Sequence, residues 1–457
     1  MTYLCLQCLP DPHLRQRMAT DNASPGECDF CEAEAQVVSI EDIALECHLV
    51  LRTHFRRSDR VPAVWLHDRT PAGSDLTATL ASLNAVPTDA LDELARAVTE
   101  AGFDRDTFSS WYETDPHEDD DPWFERRTDT EGPMSSSWKR AEASLRTESR
   151  YVNPMAMDML NSVFLNIADD RTKMDEPVIM EAGPGTGRTE LFRARVFSTS
   201  EDLENAMKHP ERFLGTPPAG LGRAGRMNAK GQPVFYGATA AEIAIAEVRP
   251  PVGSWVVVAA FEITRPLQLL HLSRLRGLKL DETLSLFDPK SVTGAQRRDF
   301  LRVLSEQMVM PVMPDLEERE YLLTQVISDY LATHPATSLD GIIYPSAQLG
   351  PNMQSEVSGN VVLFAKSSFV RNADAGRNTA SFSLWEYEED GPGKYPNPEI
   401  QITKGPSKVD CASDARPESL ALLYDQIKIH QVKGVQYQTW SDEVTVWTPS
   451  TTSASDL

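Results

Sequence analysis

The fold of this chain is decided by three pieces of sequence: LFRAR (residues 191–195), LGRAGRMNAKGQPVFYGAT (residues 221–239) and AAEIAIAEVRP (residues 240–250). The first indicates a β-strand, and the second indicates a loop broken by Gly, Asn and Pro that leads into a short strand at 233–236. The third predicts a helix at 240–248, with apolar Ile243 and Ala244 and with Glu242 and Glu247 as its carboxylates.

The rest of the second half continues this mixture of strands and helices. Apolar alternation predicts strands at 255–263, 267–270, 341–344 and 361–364, and helical spacing predicts helices at 202–209, 297–308 and 319–333. The order lacks the regular βαβ repeat of a doubly wound sheet, so the predicted fold class is α+β. Residues 371–415 are rich in Gly, Pro, Asn and Asp and predict loops, followed by terminal strands within 420–437 and a disordered tail at 449–457.

Chemically useful side chains cluster in the opening stretch. An arginine follows an aromatic residue, a second arginine lies in a Gly-rich turn, a tyrosine ends a strand and a glutamate lies on the next helix. We expect these groups to converge on one pocket that suits a phosphate-bearing ligand and a cationic transition state.

The preceding AGPGTGRT segment (residues 182–189) resembles a phosphate-binding P-loop but departs from it twice. Ala182 replaces the first glycine and Arg188 replaces the lysine, and the sequence that follows predicts β-structure rather than a long helix. We therefore interpret the segment as a flexible turn before the strand.

Two CxxC pairs near the N-terminus predict a metal site. Cys5, Cys8, Cys28 and Cys31 have the spacing that closes a tetrahedral four-thiolate zinc site, which leaves no open position and is therefore structural. Cys47 and Cys411 are lone and predict buried apolar residues.

Helical periodicity dominates the region between the cysteines and residue 170. Arg52 and His54 lie too close together for a nuclease dyad, and the acidic run HEDDD (residues 117–121) indicates a solvated loop. We predict four domains: a zinc ribbon at 1–36, a helical domain at 37–170, a catalytic domain at 185–370 and a C-terminal extension at 371–457, with a main boundary within 169–184.

Whole-chain composition narrows the function classes. The 457 residues are 41% hydrophobic and 25% charged, as in ordinary globular proteins, and the net charge of −24 argues against nucleic acid and anionic membranes as partners. The absence of a long apolar run or of a signal-like N-terminus predicts a cytoplasmic location.

Together, FRAR, GRMNAKGQPVFYGAT, AIAEV, YLLTQ, GIIYPS and GNVVLF resemble the RES domain in their order over about residues 191–366. This family resembles ADP-ribosyltransferase toxins in fold, and its members consume NAD by phosphorolysis or hydrolysis and often act as toxins held by antitoxins. The cysteine and helical region resembles the HEPN-like region that precedes RES domains in longer members.

The resemblance implies the site residues. It places the arginine, glutamate and serine of the family name on Arg193, Glu247 and Ser346, and leaves Arg195 as the competitor of Arg193. The residues expected to contact NAD besides these are Arg195, Arg226, Tyr236 and Gln325.

The resemblance also implies the substrate and the partners. NAD is the expected substrate and inorganic phosphate a candidate acceptor, and an antitoxin or a regulatory protein is the expected protein partner. Two alternatives stay open at this point: a mono-ADP-ribosyltransferase that modifies a protein, and a catalytically quiet regulator that binds NAD.

Overall fold

A computed structural model describes residues 2–58, 73–104, 109–110, 123–126, 133–150, 152–279, 285–346, 358–373, 379–387, 393–403, 416–436, 439 and 441–445. The acidic run at 117–121, Cys411 and the tail at 449–457 lie outside these residues. Among the helices described, none combines the length and apolar character needed to cross a membrane.

The first part of the chain comprises β1 (Tyr3–Cys5), α1 (Pro12–Asp21), β2 (Ser24–Glu27), β3 (Glu34–Ser39), α2 (Ile40–His54), β4 (Phe55–Ser58), α3 (Leu76–Leu83), α4 (Leu91–Ala101), β5 (Phe103–Asp104), β6 (Ser109–Ser110) and β7 (Trp123–Arg126). Strands β1 and β2 pair with opposite edges of β3, so the cysteine pairs lie on a small antiparallel sheet. Helix α2 begins after Ser39, whose side chain accepts a hydrogen bond from the Asp42 amide.

One core unites this first part. It includes Leu4, Leu51, Leu94 and Phe124, and therefore spans the small sheet, helices α1 to α4 and strand β7. Buried apolar positions on α2 recur at helical spacing, as the sequence predicts.

The next two helices, α5 (Pro133–Thr147) and α6 (Pro154–Phe164), belong to a different core. Trp138 and Phe164 pack with Leu270, Phe300 and Tyr330 from the second half of the chain. The packing thus divides between β7 and α5, ahead of the boundary expected within 169–184, while the predicted domain limits stay a prediction.

The second half comprises β8 (Ile179–Ala182), β9 (Glu190–Phe197), α7 (Ser200–Met207), α8 (Pro210–Leu214), β10 (Phe235–Ala238), α9 (Ala241–Glu247), β11 (Trp255–Ile263), β12 (Leu267–His271), α10 (Pro289–Val309), α11 (Glu317–Thr333), β13 (Gly341–Tyr344), β14 (Asn360–Leu363), β15 (Phe369–Val370), β16 (Ala380–Tyr387), β17 (Lys394–Ile402) and β18 (Glu418–Gln431). Nine of these strands form one mixed sheet in the order β15-β18-β11-β9-β10-β14-β13-β12-β8. The α+β class is confirmed, and the P-loop alternative is wrong because strand β9 follows the glycine-rich turn.

Helix α9 covers one face of this sheet. Ile243 and Ala244 pack on Ala194, Val256 and Val258, whose side chains leave β9 and β11 on that face. This short helix holds Glu247 at its end, directly beside strands β10 and β14.

The C-terminal region contains more β-structure than its composition predicts. Strands β16 and β17 form an antiparallel hairpin inside the segment expected to be loop-like, so that expectation is wrong for residues 380–387 and 394–402. Strand β18 covers the first part of the segment 420–437, where terminal strands were expected, and lies inside the large sheet between β11 and β15. Residues 432–436 of the same segment form no strand.

Candidate active site

The GRMN sequence forms a tight turn that Tyr236 fixes from strand β10. The amide of Gly225 bonds the carbonyl of Asn228 at 3.0 Å, while Oδ1 of Asn228 accepts a 2.7 Å hydrogen bond from the Tyr236 hydroxyl. The same hydroxyl accepts a hydrogen bond from the Met227 amide at 3.1 Å. A Cβ atom at position 225 would lie 2.5 Å from the Tyr236 hydroxyl, which explains the glycine.

Helix α11 braces this turn through the YLLTQ segment. Oγ1 of Thr324 donates to the Arg226 carbonyl, and Nε2 of Gln325 donates to the Gly225 carbonyl at 2.9 Å. Gln325 is predicted to contact NAD, but its amide nitrogen binds the Gly225 carbonyl and therefore supports the turn.

Arg226 joins the turn to the end of α10. Its Nη1 atom donates to the carbonyls of Met308 and Met310 at 2.9 and 2.6 Å, and its guanidinium lies 5.4 Å from the centre of the Tyr321 ring. Carbonyls at a helix C-terminus attract cations. Part of the guanidinium is thus committed to the protein, and among the described residues Nη2 and Nε make no hydrogen bond that would compete with a ligand.

Arg193 is the least satisfied cation of the site. Its guanidinium lies over the Phe235 ring at 5.0 Å, and within the part of the chain that the structure describes its buried Nη1 atom has no hydrogen-bond partner. Burial, assisted by Arg195, lowers the pKa of Arg193 to about 10. Buried polar groups are normally bonded, so an orphaned donor indicates a missing ligand.

The two candidate arginines differ in their surroundings. Arg195 is exposed, and its Nη1 atom donates to the carbonyl of Phe213 at the end of α8. Its pKa is lowered by partial burial and by the charge of Arg223, so Arg195 lies within electrostatic range of both Arg193 and Arg223.

Arg193 lies on the face of strand β9 that is opposite to α9. The β9–β10 ladder pairs Ala238 with Phe192, and Phe192 packs toward α9. Strand alternation therefore directs Arg193 to the other face, where its guanidinium lies over the Phe235 ring. Arg193 makes no hydrogen bond to Glu247 among the described residues, although its charge interacts with Tyr236.

Glu247 is held by an asparagine that the sequence did not single out. Oε2 of Glu247, an exposed residue, accepts a 2.9 Å hydrogen bond from Nδ2 of Asn360. Asn360 is 2% exposed, and its Oδ1 atom is buried without a partner in the described structure. The available signal was one amide at the head of the apolar GNVVLF segment.

Strand β14 also connects Glu247 to the strand that precedes Ser346. Tyr344 pairs with Asn360 in the β13–β14 ladder, and Ser346 follows Tyr344 by two residues and is 2% exposed. Burial, with the nearby charge of Glu247, raises the pKa of Tyr344 well above its usual range. The start of β14 thus brings Glu247 close to Tyr344, two residues ahead of Ser346.

The four N-terminal cysteines form a separate cluster that fits one metal ion. Their Sγ atoms lie within 4.8 Å of one another, with 3.6 Å between Cys5 and Cys31 and 3.9 Å between Cys28 and Cys8. A tetrahedral zinc with bonds of about 2.3 Å requires sulfur atoms ~3.8 Å apart. Burial opposes the Cys28 thiolate, but backbone N–H groups of Cys5, Cys31 and Phe30 outweigh it and lower the pKa of Cys28 to about 6.

Comparison with protein families gives a match in the second half of the chain. Residues 191–383 match the family model described as the RES domain. The resemblance to the RES domain, a family associated with NAD-consuming enzymes and toxin-like activity, is therefore confirmed over these residues. The resemblance of the N-terminal region to a HEPN-like region stays a prediction. Searches of curated proteins and of solved structures gave no match.

Proposed function

We propose that this chain cleaves the nicotinamide–ribose bond of NAD and passes the ADP-ribosyl group to water or inorganic phosphate. The observation that carries the proposal is the buried guanidinium of Arg193, whose Nη1 atom lacks a partner among the described residues of a RES domain. A pyrophosphate is a fitting partner, because guanidinium groups bind phosphate oxygens in a bidentate manner. This role favours Arg193 over Arg195, whose Nη1 already binds a backbone carbonyl.

The carboxylate of Glu247 is proposed to act on the ribose. When the C–N bond breaks, its electron pair leaves with nicotinamide and positive charge develops on the sugar. A carboxylate held by Asn360 at the sugar stabilises that charge and fixes the ribose hydroxyls. Tyr236 offers a ring face for stacking, and Ser346 offers a hydrogen bond to the ribose or the carboxamide.

The arginines also bear on the acceptor. With water, the products are nicotinamide, ADP-ribose and a proton; with phosphate, they are nicotinamide and ADP-ribose 1″-phosphate. The charge of Arg195 lies within electrostatic range of both Arg193 and Arg223, which supports a second anion subsite, as phosphorolysis requires. Arg226, with Nη2 and Nε left for a ligand, is proposed to complete the pyrophosphate clamp from the GRMN turn.

Zinc is proposed to bind Cys5, Cys8, Cys28 and Cys31, whose sulfur spacing fits a four-thiolate site. Such a site is closed, so the ion would stabilise the ribbon and take no part in NAD cleavage.

Proton NMR of NAD breakdown, with and without phosphate, tests the function. Wild type should release nicotinamide and Glu247→Gln should lose at least ~100-fold in rate, since removal of one stabilising group typically costs that much. Acceleration by phosphate with a phosphorylated product would identify a phosphorylase. Nicotinamide release that requires a protein acceptor, with the labelled ADP-ribosyl group on that protein and no free ADP-ribose or ADP-ribose phosphate, would favour the ADP-ribosyltransferase. A Glu247→Gln variant with full rate would overturn the assignment.

A further inference from the structure

Asn360 occupies a central position at the end of three adjacent strands. As the first residue of β14 it pairs with Ala238 on one side and Tyr344 on the other, and it is 2% exposed. The rest of this strand is apolar, so a buried amide is out of place unless both of its polar atoms have partners.

The two polar atoms of Asn360 differ in their partners. Nδ2 donates to Oε2 of Glu247 at 2.9 Å, which fixes the amide and the carboxylate relative to each other. Oδ1 is buried and, among the residues that the structure describes, has no donor. The missing donor must therefore lie close to the Glu247 carboxylate, since the two atoms belong to one planar amide.

We propose that Asn360 orients Glu247 through Nδ2 and accepts a hydrogen bond from the substrate ribose through Oδ1. This proposal rests on the proposed function, in which Glu247 faces the ribose of NAD. A ribose presents two adjacent hydroxyl groups, and a carboxylate oxygen beside an amide oxygen offers one acceptor to each. Asn360 would then help to select a ribose with both hydroxyls present.

The first test replaces the Nδ2 donor of Asn360 and keeps an oxygen acceptor at the Oδ1 position. Asn360→Asp puts a second carboxylate beside Glu247, and like charges raise each other's pKa. We expect the acidic limb of the kcat/KM profile for NAD to move up by about one pH unit, which a purely structural role would not cause. Asn360→Ala should lower kcat/KM without this shift.

Asn153→Asp is the matched control. Asn153 is 6% exposed, but its Nδ2 and Oδ1 atoms are bonded to Ser144, Ser149 and Ala156 at the start of α6. Its replacement also buries a carboxylate, so it reports any general loss of folding. Thermal unfolding of all variants should accompany the kinetics, and the pH profile of Asn153→Asp should match wild type.

The second test measures binding without turnover. In carba-NAD a methylene group replaces the ring oxygen of the nicotinamide ribose, so the analogue is not cleaved. Calorimetry should show that carba-NAD binds Asn360→Ala ~10-fold more weakly than wild type. Removing one hydroxyl of that sugar should weaken wild-type binding but leave Asn360→Ala nearly unchanged.

The outcomes separate the two proposals. If wild type leaves NAD intact but carba-NAD shows the expected Asn360 dependence, the reaction is wrong and the residue assignment stands. If wild type cleaves NAD while both Asn360 variants keep its pH profile and affinity, the assignment is overturned. Failure of wild type to bind carba-NAD would overturn both.

Discussion

The hydroxyl of Tyr236 donates to Oδ1 of Asn228 at 2.7 Å and accepts from the amide of Met227 at 3.1 Å. One phenol thus bonds two consecutive residues of the turn that carries Arg226. Because the hydroxyl is engaged with the protein, the ring is the part of Tyr236 that we propose contacts the substrate.

Tyr236→Phe should weaken the fold and the site together. The change removes the hydroxyl that bonds Oδ1 of Asn228 and the Met227 amide, which costs about 1–3 kcal/mol in the free energy of unfolding. Urea denaturation and NAD calorimetry measure the two effects. Tyr387→Phe is the control, because Tyr387 is 70% exposed and should change neither. Unchanged stability of Tyr236→Phe would contradict the role of this hydroxyl.

Arg193→Met should abolish NAD cleavage while keeping or raising the melting temperature. Burial disfavours the charged guanidinium and lowers its pKa to about 10, and Nη1 lacks a partner among the described residues, so an apolar residue of similar length removes a cost. Differential scanning calorimetry and nicotinamide release test the two halves of the prediction.

Arg297→Met is the matched contrast for this substitution. Arg297 forms hydrogen bonds of 2.9 and 2.7 Å to both carboxylate oxygens of Asp170 and a 2.6 Å bond to the Val163 carbonyl. Its loss should destabilise the protein by about 3 kcal/mol. Equal destabilisation by both substitutions would show that Arg193 is a structural residue.

Metal removal should unfold the N-terminal sheet first. The cysteines supply much of a small core with Val37, so a chelator should release about one zinc per chain and expose this region to protease. Cys28→Ser should reproduce the effect, as measured by metal analysis. Cys47→Ser should retain zinc, since Cys47 is fully buried elsewhere in the core; equal metal content in both variants would refute the site.

Glu211 should make stability depend on acid pH. Burial opposes its charge, but hydrogen bonds from His209, Thr379 and Tyr424 outweigh burial and lower the pKa of Glu211. A carboxyl whose folded pKa lies below its unfolded value of about 4.3 stabilises the fold above that pH and loses this contribution as the pH falls through the folded pKa.

Glu211→Gln should therefore lower the melting temperature most above about pH 5, and the difference from wild type should shrink toward pH ~3. Glu201→Gln provides the control, because Glu201 is exposed on α7. A difference between wild type and Glu211→Gln that stayed constant with pH would exclude the charge as its source.

Local pattern was sufficient for most of the large sheet. Strands β11 and β13 have the predicted limits, because long apolar segments bounded by turns suit buried strands. The β16–β17 hairpin was missed because β17 is exposed along most of its length and contains two prolines, so composition alone indicated a loop.

The site was less accessible to sequence reasoning than the fold. Family motifs pointed to Arg193 and Glu247, but the role of Asn360 depends on β14 lying between β10 and β13, a long-range pairing without a local signal. The same limit applies to Gln325, whose partner is the Gly225 carbonyl across one hundred residues of chain. The sequence therefore predicted which residues carry the chemistry of the site, but not which residues hydrogen-bond them.

The position of β18 has a consequence for biosynthesis. This strand follows every other strand of the large sheet in the chain, yet it lies between β11 and β15. On the ribosome, β11 would emerge with an unpaired edge and wait for more than one hundred and fifty residues before β18 could cover it. The core of the first part, whose sequence except for Phe287 precedes residue 127, can fold during that interval. The large sheet would thus be completed only after the whole N-terminal part had been synthesised.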